Sequence, residues 1–351
     1  MKMMQWVSSV TAALAPPGQT KAALKLPVAS VFLPFIGYHL KAGLGWSLLA
    51  ALVLSGSGCA WLDAKQRNII YRPTPGVPAD FAGLRATDER YFLTVPADVE
   101  SPWLPAPASA VSTNAPSVTA SITASANTPA QIEMWWLPHA DPTAPTLLYY
   151  HGTFRNLYQN LPKIDALREA GFTILAVEYR GWGRSTVIVP SEQTIVQDAQ
   201  IAFEELKRRE PRATHRVIYG HSMGSGVAVE IASKLKAPRD YAALILESAF
   251  TNLPDIAAQA NFLGRLVSSF NNERFASVEK IVQVRVPLLM LHGAADKTVP
   301  VQLGQKLFAA ANTPKVFVSF ELGGHSNLQE VSKIGYQKAL ADFKLRFLTS
   351  Q

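Results

Sequence analysis

From residue 145 onward, hydrophobic and polar positions follow two alternating periods. Stretches with the 3.6-residue helical period, such as 191–209 and 222–235, separate short apolar runs. The apolar runs lie at 146–150, 173–177, 216–219, 243–246, 287–291 and 315–320. Strands that alternate with helices over this length predict a mostly parallel central sheet with helices on both faces.

The segment before residue 145 has a different pattern. Two strand-like stretches lie at 91–95 and 132–137. Residues 101–130 between them are almost entirely Ala, Ser, Thr and Pro and carry no charge, which predicts a flexible insert. Residues 59–88 are rich in polar and turn-forming residues and predict a tether, so the folded domain is expected to span 89–351.

Residues 42–58 form an uncharged apolar stretch that ends in small residues directly before Cys59. Lys41 precedes the stretch, and the only charges further upstream are also lysines. A basic region, an apolar region and a small-residue cleavage site indicate a secretory signal. With a cysteine at that site, the segment resembles a bacterial lipoprotein signal. The resemblance implies cleavage after residue 58, diacylglycerol on the Cys59 sulfur and acylation of the new N-terminus, which together anchor a protein stably.

Two residues bear on the interpretation of this signal. Gly56 stands where the lipoprotein pattern prefers Leu, Val or Ile, and an uncleaved inner-membrane signal anchor is the alternative. Trp61 is the second residue after Cys59, which by family analogy favours the outer membrane. We therefore expect a lipid-anchored protein of the bacterial cell envelope, with the periplasmic face of the outer membrane favoured.

The composition excludes several classes of protein. Lys and Arg total 33 and Asp and Glu total 26, for a formal net charge of +7. Four lysines lie in the acid-free residues 1–58, so 29 basic residues face 26 acidic ones elsewhere, and no basic run indicates a nucleic-acid surface. Cys59 is the only cysteine, which excludes an intrachain disulfide and a cysteine-based metal site. We expect no metal or organic cofactor.

The apolar run at 216–219 leads into Gly-His-Ser-Met-Gly at 220–224 and then into a helical stretch. A Gly-x-Ser-x-Gly pattern between a strand and a helix is typical of the nucleophile elbow, a sharp turn that exposes a serine hydroxyl. Glycines flank the serine because larger side chains would collide with the strand and the helix. The positive end of the helix favours negative charge near the hydroxyl. Ser222 is therefore the predicted nucleophile.

A nucleophilic serine needs a base, and the base needs a carboxylate that orients it. Asp296 lies in a turn after the strand predicted at 287–291, and His325 lies in a glycine-containing loop after the last predicted strand. The chain order Ser, Asp, His is that of the α/β-hydrolase arrangement. Asp296 and His325 are therefore the predicted acid and base, with Glu247, after an earlier strand, as the alternative acid.

Two backbone N–H groups must stabilise the negative charge that develops on the substrate oxygen. The Met223 N–H follows the nucleophile directly and is the first predicted donor. The second is expected from the loop at 151–156, where Gly152 permits a close approach, and the Thr153 N–H is the predicted group. Structural roles are expected for Asn156, as a helix cap, and for His151 and His221.

Six motifs together resemble those of small α/β-hydrolases. They are His-Gly-x-x-x-Asn at 151–156, Glu-Tyr-Arg-Gly-Trp-Gly-Arg-Ser at 178–185, Gly-His-Ser-Met-Gly at 220–224, Leu-Glu-Ser-Ala-Phe at 246–250, His-Gly-x-x-Asp at 292–296 and Gly-Gly-His-Ser-Asn at 323–327. The resemblance covers 89–348 without the insert and is closest to the bud-emergence and depalmitoylase-like hydrolases and their serine-aminopeptidase-like bacterial relatives. It implies an α/β-hydrolase fold. Residues 249–284 are too short for a large lid, so we expect a short cap only. Thr153 replaces the family's usual Asn, and Glu178 stands where the family often has Asp.

These residues predict hydrolysis of an ester, thioester or amide through an acyl-enzyme on Ser222. Two alternatives share the fold: a catalytically silent envelope scaffold or binding protein, and an acyltransferase with the same catalytic residues. Core packing is expected for most of the apolar residues after β-strand 243–246, although any that face the cleft would suit an acyl chain: Phe250, Phe262, Leu263, Leu266, Val267 and Phe270. The expected partners are an acyl substrate and the membrane, with no nucleic acid, and the oligomeric state stays open.

Overall fold

One eight-stranded sheet runs through the part of the chain that the computed structural model describes, residues 56–96, 129–259 and 273–348. The strands are β1 (Glu89–Thr94), β2 (Gln131–Leu137), β3 (Thr146–Tyr150), β4 (Thr173–Glu178), β5 (Arg216–His221), β6 (Ala243–Glu247), β7 (Leu288–Gly293) and β8 (Lys315–Phe320). Their order across the sheet is β1-β2-β4-β3-β5-β6-β7-β8. β2 is antiparallel to β1 and β4, and the other neighbouring pairs are parallel. The predicted mostly parallel sheet is confirmed.

Helices cover both faces of the sheet. They are α1 (Gly56–Tyr71), α2 (Leu157–Glu169), α3 (Glu192–Arg209), α4 (Met223–Lys234), α5 (Leu253–Gln259), α6 (Ser277–Lys280), α7 (Val301–Ala310), α8 (Leu328–Val331) and α9 (Lys333–Phe347). One buried apolar cluster joins the sheet to α3, α4 and α7, and a second joins its other face to α2 and α9. Every residue of β3 to β7 is buried and their central residues are mostly apolar, so both faces of these strands are covered.

Local sequence signals set the helix starts. The Asn156 side chain accepts a hydrogen bond from the Gln159 N–H at 3.2 Å, and the Gln159 side chain accepts one from the Asn156 N–H. This reciprocal capping box begins α2 and confirms the predicted cap. Ser191 and Thr194 form the same arrangement at the start of α3.

The structure differs from the expected tether between residues 60 and 88. Helix α1 continues to Tyr71, whose side chain is fully buried and donates a hydrogen bond to Glu273. Further along, the Phe81 ring packs edge-on against Tyr158 with ring centres 4.8 Å apart. Asp88 pairs with the Arg168 guanidinium at 3.0 Å. A few side chains therefore fix this segment to the domain, and its first part is a helix.

Several predicted segments lie outside the described residues. They include the signal as far as residue 55, the side chain of Cys59, residues 97–128 of the insert region, and residues 260–272 with five of the six candidate cleft residues. The sixth, Phe250, is buried in the core, which was its expected role. The ends of the insert meet, since the Val95 N–H donates to the Ala130 carbonyl at 2.7 Å. Among the described helices, none is both long and apolar enough for a membrane crossing.

Candidate active site

Ser222 lies at the sharp turn between β5 and α4. Its backbone adopts φ +54° and ψ −123°, a conformation that costs about 1–3 kcal/mol for a non-glycine residue. A Cβ atom at Gly220 would overlap the backbone of Gly224, and one at Gly224 would overlap the carbonyl of Tyr150. The two glycines therefore let the turn close against β3, and the closed turn holds Ser222 in its strained conformation.

The structure brings the three predicted catalytic side chains into one hydrogen-bonded series. His325 Nε2 lies 2.8 Å from Ser222 Oγ, and His325 Nδ1 lies 2.8 Å from Asp296 Oδ2. An ionised carboxylate only accepts hydrogen bonds, so the Nδ1–H donates to Asp296 and Nε2 accepts from the Ser222 hydroxyl. This tautomer is the one in which the imidazole can take a proton from the serine.

Asp296 is held as a charged acceptor in the turn after β7. Its Oδ1 accepts hydrogen bonds from the N–H groups of Thr298 and Val299, each at 2.8 Å, which leaves Oδ2 for His325. Burial raises the pKa of Asp296, but the hydrogen bond and charge of His325 and these two N–H groups outweigh burial, so the pKa lies below its ordinary value. The carboxylate is therefore ionised at neutral pH beside the imidazole.

Glu247, the alternative acid, belongs to a separate buried cluster. Its Oε1 accepts from the Lys163 ammonium, and its Oε2 accepts from the Tyr219 hydroxyl at 2.6 Å and the Tyr336 hydroxyl at 2.9 Å. The Lys163 ammonium also donates to Gln329 at 2.8 Å. Every carboxylate oxygen of Glu247 is thus engaged away from His325, and the geometry favours Asp296.

Two side chains hold the loop that carries His325. The His325 carbonyl oxygen accepts from His221 Nε2 at 2.9 Å and from the Ser248 hydroxyl at 3.0 Å. Burial lowers the pKa of His221 to about 3, with Lys163 acting in the same direction, so its ring is neutral and donates from Nε2. The structural role expected for His221 agrees with this contact. Ser248 had no predicted role, although the Leu-Glu-Ser-Ala-Phe motif contains it.

Two buried side chains, His151 and Glu178, hold the loop after β3. His151 Nδ1 lies 2.7 Å from the Gly152 carbonyl oxygen, and His151 Nε2 lies 3.0 Å from the Glu178 carboxylate. Glu178 also accepts from the first N–H of α2, that of Leu157, at 2.8 Å. Burial raises the pKa of Glu178, and His151 and the Leu157 N–H oppose that effect only in part. The family departure at Glu178 therefore supports the loop rather than contacting the cavity.

The predicted oxyanion donors flank Ser222. Met223 begins α4 directly after the nucleophile, and Thr153 lines the cavity on the opposite loop. A Cβ atom at Gly152 would lie 3.0 Å from Ser222 Cβ, so this loop approaches the nucleophile closely. Neither the Met223 nor the Thr153 N–H donates a hydrogen bond within the described residues. Both donors are available to a ligand oxygen.

A cavity of about 460 Å³ opens at the Ser222 hydroxyl. Its lining consists of Gly152, Thr153, Phe154, Arg155, Asn160, His221, Ser222, Thr298, Gly324, His325, Ser326 and Asn327. The volume suits a small-molecule site, and Arg155 contributes the one arginine or lysine side chain among these residues. In the described ranges no three His, Cys, Asp or Glu side chains converge in an arrangement able to hold a metal ion.

Comparison with known proteins places this geometry in context. The family model described as "Serine aminopeptidase, S33" matches residues 142–279. The chain is 34% identical over 209 residues to the lysophosphatidylserine lipase ABHD12 of Danio rerio, across 54% of this chain and 52% of that protein. It therefore spans about half the length of this relative. It is 31% identical over 217 residues to the uncharacterized protein Rv2307c of Mycobacterium tuberculosis, across 61% of this chain and 74% of that protein.

Solved structures show a similar fold. The Pyrococcus furiosus esterase Pf2001 superposes with a TM-score of 0.53, at 18% sequence identity, over 62% of this chain and 87% of that one. A second crystal form of the same esterase gives a TM-score of 0.51 at the same identity. At this identity the likeness concerns the fold, and it agrees with the sheet order and helix placement described above.

Proposed function

Since the chain belongs to the α/β-hydrolase superfamily, we propose that it is a serine hydrolase in which Ser222 is the nucleophile, His325 the base and Asp296 the orienting acid. One observation carries the proposal. The hydrogen-bonded series from Asp296 through His325 to the Ser222 hydroxyl ends in an open cavity. A strained serine with a correctly oriented imidazole is what acyl transfer requires, and no other described carboxylate contacts His325.

The geometry supports a two-step reaction. His325 Nε2 takes the Ser222 proton while Oγ attacks the substrate carbonyl carbon, and the Met223 and Thr153 N–H groups stabilise the oxyanion. His325 then protonates the leaving alcohol, thiol or amine as its bond to carbon breaks, which leaves an acyl-enzyme. In the second step water loses a proton to His325 and attacks the acyl carbon. The acid leaves as the proton returns to Ser222 Oγ.

For the substrate we propose an acyl ester with an anionic group near the reacting bond. Arg155 is exposed, lines the cavity and makes no ion pair with any described carboxylate, so its guanidinium is available to a phosphate or carboxylate. The lysophosphatidylserine lipase of Danio rerio is a relative whose named substrate carries such groups. A monoacyl glycerophospholipid with an anionic headgroup is therefore the substrate to test first.

Fluorophosphonate labelling of the purified full chain tests the proposal. We expect a single labelled peptide that contains Ser222, and faster turnover of a monoacyl phosphatidylserine than of its choline counterpart. An added alcohol that receives the acyl group would identify an acyltransferase. If the chain is not labelled and turns over no ester, thioester or amide, the enzyme assignment is contradicted. The silent scaffold is then the remaining function.

For the N-terminus we propose lipid attachment at Cys59 and a location in the bacterial cell envelope, at the periplasmic face of the outer membrane. The support is the apolar, acid-free sequence that ends at the only cysteine, with Trp61 after it. In mass spectrometry of the mature protein we expect a diacylated Cys59 and no peptide from residues 1–58. Cys59→Ser is expected to keep the precursor uncleaved at the inner membrane. A mature wild-type protein that retains residues 42–58 would instead support a signal anchor.

A further inference from the structure

Helix α1 divides into two faces with different chemistry. At about 100° per residue, Trp61, Leu62, Lys65, Asn68 and Ile69 fall within an arc of about 120°. All five are exposed, and the three large apolar side chains are strongly so: Trp61 at 64%, Leu62 at 50% and Ile69 at 60%. We call these five residues the outer face of α1. Isolated exposed apolar residues are ordinary, but three on one helical face indicate an interaction surface.

The opposite face fixes the orientation of the helix. Gln66 and Tyr71 are buried, and the Tyr71 hydroxyl donates to Glu273. The Arg67 guanidinium lies 3.2 Å from the same carboxylate, which also accepts from the Glu192 N–H at the start of α3. These contacts hold α1 against the domain over its second half. The outer face is therefore held away from the domain and cannot turn inward to bury its apolar side chains.

The sequence just before Trp61 indicates what covers the outer face. Residues 42–58 are apolar and uncharged and end three positions before Trp61. A lipidated Cys59 and an uncleaved signal anchor both put the bilayer beside residue 59, so this argument holds for either form of the N-terminus. An interfacial helix combines Trp near the headgroups, aliphatic side chains in the acyl region and Lys near lipid phosphates. The outer face has this set, with Lys65 as its charge and no acid.

The other end of α1 lies at the mouth of the cavity. The Arg72 guanidinium, one residue beyond the helix, lies 4.7 Å from the centre of the Phe154 ring, and the Thr74 hydroxyl donates to the Phe154 carbonyl at 2.6 Å. Phe154 lines the cavity next to Thr153 and is 43% exposed. From Ala60 to Tyr71 the helix is about 18 Å long. A helix that lies along the membrane surface would thus bring the cavity mouth close to the lipid headgroups.

We propose that the outer face of α1 docks on the lipid bilayer and presents the cavity to acyl lipids of the same membrane. This proposal adds a substrate location to the proposed function. The part that concerns membrane-resident substrates rests on hydrolysis at Ser222, whereas docking does not. Membrane contact at Trp61, Leu62 and Ile69 rests on the outer face and on the proposed membrane attachment at the N-terminus, and not on catalysis. The two parts therefore need separate readouts.

The experiment uses the full chain reconstituted in vesicles of phosphatidylethanolamine and phosphatidylglycerol. Leu62→Glu/Ile69→Glu is compared with Ile334→Glu, since Ile334 is 85% exposed on α9 and outside the outer face. We expect the double variant to hydrolyse a monoacyl glycerophospholipid in the vesicles about tenfold more slowly than wild type. We expect Ile334→Glu to match wild type, and all three proteins to hydrolyse a water-soluble short-chain ester equally.

Brominated lipids give a readout that does not depend on catalysis. The chain contains seven tryptophans, so quenching at Trp61 is obtained as the difference between wild type and Trp61→Phe. Bilayer docking predicts that most of this difference signal is quenched. An unquenched Trp61, or equal vesicle turnover by the double variant and Ile334→Glu when both hydrolyse the soluble ester, overturns docking and leaves a second copy or the chain's own N-terminus as the cover. If wild type does not hydrolyse the soluble ester but Trp61 is quenched, the hydrolase function is overturned and docking stands.

Discussion

Two buried carboxylates follow neighbouring strands of the sheet, and their partners differ. Glu247 at the end of β6 faces the Lys163 ammonium and two tyrosine hydroxyls, all of them buried. Asp296 after β7 faces two backbone N–H groups and His325, whose side chain is 14% exposed and borders the cavity. Glu247 therefore contacts only buried side chains, whereas Asp296 contacts a side chain that is partly exposed to solvent.

The partner of each carboxylate determines what it can do. Burial raises the pKa of Glu247, but Lys163, His221 and Tyr219 outweigh burial and hold that pKa below 4.5, so the Glu247 carboxylate is ionised at neutral pH. An imidazole, by contrast, gains and loses a proton near neutrality. A carboxylate that orients an imidazole supports proton transfer, whereas one that neutralises a buried ammonium supports stability. Three variants test this difference, and a fourth tests the cavity that His325 borders.

The largest effect is expected from Ser222→Ala, which removes the group that the Asp296–His325 pair serves. We expect kcat for a p-nitrophenyl ester to fall by about 10⁶-fold, because the imidazole then has no nucleophile to activate. Far-UV circular dichroism is the control, and it should match wild type. Substantial ester turnover by a clean Ser222→Ala preparation would remove the basis for the catalytic assignment.

Asp296→Asn is expected to lower kcat by about 10⁴-fold with the fold intact. The introduced amide donates to Nδ1 of His325 and so stabilises the tautomer in which Nε2 carries the proton. In that tautomer Nε2 cannot accept the proton of Ser222. Steady-state kinetics beside a urea unfolding curve separates this effect from instability. A smaller loss of kcat than that of Glu247→Gln would reverse the two carboxylates' assignments.

Lys163→Met is expected to act on stability rather than on chemistry. It leaves Glu247 buried without its cation, and we expect the free energy of unfolding to fall by about 3–5 kcal/mol, measured in urea. The folded fraction should retain kcat within about threefold, because Lys163 does not contact the catalytic residues.

The control for this variant is Lys163→Met/Glu247→Gln, which removes both charges and should recover part of the lost stability.

The pH dependence of stability gives a further check. Because the folded pKa of Glu247 lies below 4.5, its carboxylate contributes stability above that pH and loses the contribution as the pH falls through the folded value. The double variant should therefore lose less stability than wild type on acidification below pH 4.5. Equal acid sensitivity would contradict the closed-pair interpretation.

Arg155→Gln is expected to have the smallest effect, about tenfold in kcat/KM for a monoacyl phosphatidylserine and none for a neutral p-nitrophenyl ester. The estimate corresponds to the loss of one hydrogen bond to a charged group. Arg239→Gln, which removes an exposed arginine outside the cavity lining, controls for net charge. An equal loss on both substrates would assign Arg155 to general loop structure instead.

Much of the fold could be predicted because its signals are local. The apolar runs at 146–150 and 315–320 match β3 and β8 residue for residue, since a strand buried or bounded by turn residues is visible as a short apolar stretch. The elbow was predictable because only glycine fits at positions 220 and 224, where a Cβ atom would overlap the backbone of Gly224 or Tyr150. Helix α1 was not predicted, because its large apolar side chains on one face are exposed rather than packed in the core, and Tyr71 and Arg67 find their partner only at Glu273.

The sequence by itself determined the strands and the elbow, and it indicated three side chains whose types and order suit a serine hydrolase. It favoured Asp296 as the acid but left Glu247 open, since both carboxylates lie at strand ends between Ser222 and His325 in the chain. The tertiary structure favours Asp296, because Lys163 on α2 contacts Glu247 and the loop held by His221 and Ser248 brings His325 to Asp296. These contacts join residues up to 104 positions apart, and a hydrogen bond acts only over about 3 Å. Chain order alone therefore cannot exclude Glu247 as the carboxylate that the imidazole reaches.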